Sequence, residues 1–140
     1  MDYLAAFQIS ASGMAVEKLR LDVTTANIAN MNNAAPSAAS AYKPLRVVSE
    51  AAGMPFNAQF NALSGVTTRA VVSEATAARM VYEPGHPYAD GRGMVAYPGV
   101  NHTAEMVNLN LALRAYEANV AAMNAAKTMA ARTLDIGGQQ

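Results

Sequence analysis

Between Thr103 and Leu134 the side chains Met106, Leu109, Leu113, Tyr116, Val120, Met123, Lys127, Ala130 and Leu134 follow alternating steps of three and four, and Lys127 is the single charged member. That spacing is the seam of a coiled coil. A straight helix drifts roughly 20° per heptad against such a repeat, so a seam sustained this long predicts a partner helix and a left-handed supercoil. At 1.5 Å per residue the helix would be about 45 Å long. Lys127 on the stripe is either a register-setting polar residue or a snorkelling one.

The remaining faces of the segment are also poor in charge. Ala112, Ala115, Ala118, Ala121, Ala122, Ala125, Ala126 and Ala131 fill many of the positions outside the seam. Small apolar residues all round suit a helix with neighbours on several sides, although alanine is also simply the strongest helix former. Composition bears on the choice. Hydrophobic residues make up 52% of the chain but aromatics only 6%, so much of its apolar content is alanine, which gains stability by close helix contact more than by burying bulk. Ten basic residues balance ten acidic ones, and charged residues total 14%. A neutral surface gives little mutual repulsion between copies and favours self-association or co-assembly.

A second helical pattern runs from Tyr3 to Asn30. Ile9, Val16, Leu19, Val23 and Ala26 form one apolar stripe; Phe7, Ala11, Met14, Leu21 and Ile28 form another. Gly13 lies inside it, costing about 1 kcal/mol relative to alanine while permitting close helix contact. Asn27, Asn30, Asn32 and Asn33 mark its end, because asparagine side chains compete for backbone hydrogen bonds. The middle reads as loop and short strands. Lys43 before Pro44 is pushed toward extended geometry, Leu45–Ser49 is a candidate strand, and residues 51–65 read as irregular. Val66–Val72 and Ala78–Tyr82 are expected to pair as a small hairpin. Met94–Tyr97 is a short strand between turns, and Asn101 or Thr103 caps the long helix that Gly137-Gly138 stops.

The expected fold is therefore mainly α. Long N- and C-terminal helices pair as an antiparallel coiled coil around a small irregular, β-hairpin middle. The expected divisions are an N-terminal helix over 3–31, a loop and β-rich region over 32–100, and a C-terminal helix over 101–136.

Catalytic chemistry finds little support in these residues. With no cysteine, disulfides, thiolate catalysis and cysteine metal sites are excluded. His86 and His102 lack metal-type spacing with carboxylates, and Glu83 and Asp90, which bracket one turn, read as solvated turn residues rather than an acid/base pair. Gly91-Arg92-Gly93 is too short to cradle a phosphate. No catalytic, cofactor or metal residue is assigned, no basic patch points to nucleic acid, and no small-molecule substrate is expected. The N-terminus lacks the basic start and continuous apolar core of a secretory signal, and no run is long enough to span a membrane.

Val81-Tyr82-Glu83-Pro84-Gly85-His86-Pro87-Tyr88-Ala89-Asp90, continued by Gly93-Met94-Val95-Ala96-Tyr97-Pro98-Gly99-Val100-Asn101, resembles a signature of the bacterial flagellar basal-body rod proteins. Glu105-Met106-Val107-Asn108-Leu109 and Arg114-Ala115-Tyr116-Glu117-Ala118-Asn119 are similar to that family's C-terminal segment, and Ser12-Gly13-Met14, Leu21 and Ala26-Asn27-Ile28-Ala29-Asn30 to its N-terminal one. The chain departs from the family pattern in the longer, alanine-rich Asn32–Ala41 loop and in residues 53–65.

The resemblance implies a non-enzymatic, axial subunit of the proximal rod. Such a subunit is exported through the flagellar type III apparatus without a cleavable signal and polymerises helically in the periplasm with itself and with FlgB, FlgF, FlgG and FliE-like proteins. It also implies subunit-interface residues along the helices, namely Met14, Leu21, Asn27, Ile28, Asn30, Met106, Leu109, Leu113, Arg114, Tyr116, Glu117, Asn119, Val120, Ala122 and Met123. Tyr82, Pro84, His86, Pro87, Tyr97, Pro98 and Asn101 form its turn motif. The competing class is a helical-hairpin protein-binding module outside the flagellum, docking one partner through the same seams.

Overall fold

The computed structural model describes residues 3–52 and 64–137. Helix α1 spans Tyr3–Asn30 and helix α2 spans His102–Gly137. Between them lie β1 (Leu45–Ala51), β2 (Val66–Ser73), β3 (Arg79–Tyr82) and β4 (Met94–Tyr97). The two helices pack antiparallel, Asn27 near the end of α1 meeting Glu105 near the start of α2, and Gly13 meeting Asn119 further along. This is the expected mainly helical architecture. At 36 residues α2 is about 54 Å long. Asn101 caps it: its side-chain Oδ1 accepts from the Ala104 N–H at 3.1 Å and its carbonyl accepts from the Glu105 N–H.

The seam differs from the predicted one in a way that has a physical cause. The buried and half-buried line on α2 is Glu105, Leu109, Ala112, Tyr116, Asn119, Met123, Ala126 and Ala130. It keeps the expected Leu109, Tyr116, Met123 and Ala130, but at alternate positions Glu105, Ala112, Asn119 and Ala126 stand where Met106, Leu113, Val120 and Lys127 were expected. Ala112 and Ala126 are buried, whereas Met106, Leu113 and Lys127 are exposed. The contact face is thus turned one residue toward the N-terminus, because small residues let the helix axes approach and Glu105 is held inside by hydrogen bonds. On α1 the buried residues are Ser10, Val16, Val23, Thr24 and Asn27. They cover two adjacent stripes because α1 packs against both α2 and the first hairpin.

Strand pairing also departs from expectation. The anticipated β2–β3 hairpin does not form. Instead β2 pairs antiparallel with β1, Leu45 opposite Ser73 and Ala51 opposite Val66, with a bulge between Val48 and Ser49; β3 pairs antiparallel with β4, Arg79 opposite Tyr97. Pro44 extends the first ladder, its carbonyl accepting from the Glu74 N–H at 2.7 Å. The Ala35 N–H bonds to the Ala96 carbonyl at 2.8 Å, tying the loop after α1 to the edge of β4. Val95 and Ala96 are consequently buried. Most of the stretch expected to be irregular, residues 53–63, lies outside the described residues.

Candidate functional site

A polar hub joins both helices to β1. Asn27 is 0% exposed and Glu105 1% exposed, and each is fully engaged. The Asn27 amide donates to the Leu45 carbonyl at 2.9 Å and to Glu105 Oε2 at 3.1 Å. Its oxygen accepts from the Leu45 N–H and from the Tyr42 hydroxyl, both at 2.8 Å. Glu105 Oε1 takes a 2.6 Å bond from Arg46 Nη1, while Arg46 Nε pairs with Glu74 at 3.1 Å. Burial, and then the Glu105 carboxylate, hold the Tyr42 hydroxyl above the usual tyrosine pKa. A buried carboxylate is tolerated only when paired and hydrogen-bonded, and both conditions are met here.

Two further contacts fix α1. A Cβ on Gly13 would lie 2.7 Å from Asn119 Oδ1, so the glycine is what allows the Asn119 amide to sit against α1 while Nδ2 bonds to the Ala115 carbonyl at 2.9 Å. Ser12 Oγ donates to the Ile9 carbonyl at 2.7 Å and accepts from the Val66 N–H at 3.0 Å, anchoring the start of β2. Arg20 reaches Ser49 at 3.3 Å on the wall of an open cleft of about 200 Å³ between α1, β1 and Asn108.

The turn between β3 and β4 is built on Asp90. Its Oδ1 accepts from the Met94 and Arg92 N–H groups at 2.9 and 2.8 Å, and these bonds, Met94 first, hold its carboxyl below the usual range. Gly93 sits at φ 74°, a left-handed conformation, with Tyr82 and Pro84 against it. The Tyr97 hydroxyl donates to Glu83 at 3.0 Å, which raises its pKa, and Arg79 lies over the Tyr97 ring at 5.3 Å. The expected turn residues therefore divide. Pro98 is buried, Tyr97 and His86 half-buried, and Tyr82, Pro84 and Pro87 exposed, with Asn101 spent on the helix cap.

The expected interface residues divide as well. Asn27 makes all its bonds within the chain. Asn30 bonds back to the Ala26 carbonyl at 2.8 Å. Met14, Leu21, Ile28, Leu109, Tyr116, Asn119, Val120 and Met123 are half-buried, while Met106, Leu113, Arg114, Glu117 and Ala122 are exposed. Arg114 and Glu117 pair with each other at 2.8 Å. Glu105 and Ser12 lie in the stretches that carry the family resemblance but were given no role from sequence, and Arg46 and Tyr42 were not singled out. The available signal was a lone acid beside an apolar stripe, and its partner Arg46 lies 59 residues away. Among the described residues no three His, Cys, Asp or Glu side chains gather as a metal site, and no helix is long and apolar enough to cross a membrane.

The two helices are the parts that match known families. Residues 7–34 match the flagella basal body rod protein family, and residues 92–136 match the C-terminal family of the flagellar basal body rod FlgEFG proteins. A helical hairpin with both signatures defines the class: a structural subunit of the flagellar basal-body rod. Within that class the chain is 34% identical over 137 residues to the flagellar basal-body rod protein FlgC of Salmonella typhimurium, covering 98% of this chain and 99% of the relative. It is 34% identical to FlgC of Bacillus subtilis, over 92% of this chain and 94% of that one, and 33% identical to FlgC of Aquifex aeolicus, over 96% and 97%. The chain belongs to the FlgC family.

Proposed function

We infer that this rod subunit is non-enzymatic, that it stands in the proximal, periplasmic part of the rod, and that it contacts its neighbours through the outer faces of α1 and α2. The observation that carries this reading is the apolar outer surface of α2. Val107 is 53% exposed and Leu111 63%, and Met106 and Leu113 also face outward beside Ala118, Ala121, Ala122 and Ala125. Covering large apolar side chains is worth about 1.5–3 kcal/mol each for full burial, so these exposed residues, flanking the exposed Arg114–Glu117 pair on both sides, favour association. Small residues between them let neighbouring helices come close. The neighbours are further copies of this chain and the rod proteins FlgB, FlgF, FlgG and FliE. The subunit's route to the rod is the flagellar export apparatus.

Deleting residues 3–30 tests the assignment in a strain lacking its own FlgC-family subunit. A rod subunit loses rod assembly and swimming altogether, because α1 is half of its assembling unit. Retained swimming with loss of a single binding partner would instead support a helical docking module.

A further inference from the structure

The α1–α2 seam is weakly specific as packing. On α2 it offers Ala112 and Ala126, two heptads apart, with Ala130 beyond them, and on α1 it offers Ser10, Gly13 and Val16, small, shallow surfaces that fix register weakly except where Asn119 meets Gly13. A helix pair of this kind can slide by about 10 Å, one heptad, with modest loss of apolar contact. The polar hub at one end has no such degeneracy. Asn27 has both N–H bonds and both acceptor sites occupied, by three different elements: Glu105 on α2, Leu45 on β1 and Tyr42 before β1. Glu105 in turn is held by Arg46 of β1. A slip in either direction would leave Glu105 and the Leu45 backbone without these partners, and a buried polar group without partners is costly while an apolar one is indifferent.

We propose that the Asn27–Glu105–Arg46–Tyr42 hub is the register lock of the helix pair: it selects one axial alignment of α1 and α2 and makes that alignment depend on docking of β1. Asn27 and Glu105 are positioning residues in this sense. The alignment matters beyond the chain itself. The outward surface is a composite of both helices, and register decides which exposed residues of α1 stand beside Met106, Leu111 and Leu113 of α2.

Distances between spin labels separate register from stability. The chain has no cysteine, so Lys18→Cys and Ala125→Cys, exposed positions offset along the axis, can be labelled uniquely in the full-length protein, diluted into unlabelled chain. The otherwise unaltered chain should give one narrow distance peak. In that background Asn27→Leu, or the apolar triple Asn27→Leu/Arg46→Met/Glu105→Leu that leaves no stranded charge, should keep its helical circular dichroism but show a second peak. That peak should be displaced by several ångströms, up to about 10 Å for a full heptad slip. The triple variant guards against Asn27→Leu simply failing to fold. A single unchanged peak in the triple variant overturns the proposal, and so does loss of its helix pair, since the hub would then sustain the fold without choosing its register. A broad distribution in the unaltered chain overturns it equally.

Discussion

At the scale of the residue, Asn27 spends its whole amide inside the chain, so Asn27→Ala removes four hydrogen bonds and strands the Leu45 backbone and the Tyr42 hydroxyl. The expected loss is about 3 kcal/mol, read as a lower urea midpoint with an unchanged slope. Gly13 gives a second case with opposing effects. Alanine there adds helix propensity of about 1 kcal/mol, yet its methyl would press on Asn119 and break the bond from Asn119 to the Ala115 carbonyl. Gly13→Ala alone is therefore expected to be neutral or destabilising, and Gly13→Ala with Asn119→Ala stabilising. A double-mutant cycle should show coupling of roughly 1 kcal/mol, and additive effects would contradict the close contact. Sequence reasoning reached Gly13 as a site of close helix approach and Asn27 through family resemblance. It met Glu105 in the same way but gave it no role, because its partner Arg46 lies 59 residues away and is brought to it only by the fold.

At the scale of the element, the β3–β4 turn should respond to acid. Asp90 has its carboxyl held below the ordinary value by the Met94 and Arg92 N–H groups. Its contribution is therefore complete above about pH 4 and is lost as pH falls through the lowered folded-state pKa. Amide exchange at Arg92 and Met94, corrected for intrinsic rates, should accelerate as pH falls through that lowered value, and Asp90→Asn should flatten that response. Tyrosines act at the other end. Tyr42 and Tyr97 have raised folded-state pKa values, so the unfolded chain gives up these protons first and stability falls as pH rises above about 10. Urea midpoints at pH 8 and 10.5 should differ less in a Tyr42→Phe/Tyr97→Phe chain. The helices were legible from periodicity, β2 and β3 from β-branched residues, β4 from the turns that bracket it, and β1 as a candidate strand after Pro44. Partner choice among the strands was not: β2 closes on β1 because Ser12 and Pro44 hold the two ends of that ladder, contacts between distant parts of the sequence. The face of α2 turned inward was also misjudged by one residue, since counting apolar residues favours the larger ones whereas close packing here favours alanine.

At the scale of the whole molecule, the chain carries little charge, none of it net, and places much of its aliphatic bulk on the outside of a helical hairpin. The hairpin, closed by its polar hub, is the post; in the proposed rod subunit the exposed apolar residues of α2 are the surface offered to neighbours. Alanines at positions such as Ala112 and Ala126 serve the post, being buried within the chain, while Ala118, Ala121, Ala122 and Ala125 remain available to neighbours. The sequence alone could not divide them, because alanine satisfies a helix, a close internal contact and a close external contact alike. The division is what makes a decisive substitution possible. Ala122→Glu places a carboxylate on the exposed face, where the single chain tolerates it in water and a packed rod does not, since burying an unpaired charge costs several kcal/mol. The variant should be made in a strain lacking its own FlgC-family subunit, with swimming and isolated basal bodies scored beside the solubility and circular dichroism of the purified chain. The expected result is a soluble protein with the unaltered chain's circular dichroism that supports neither rods nor swimming; intact rods and normal swimming would contradict the proposed role.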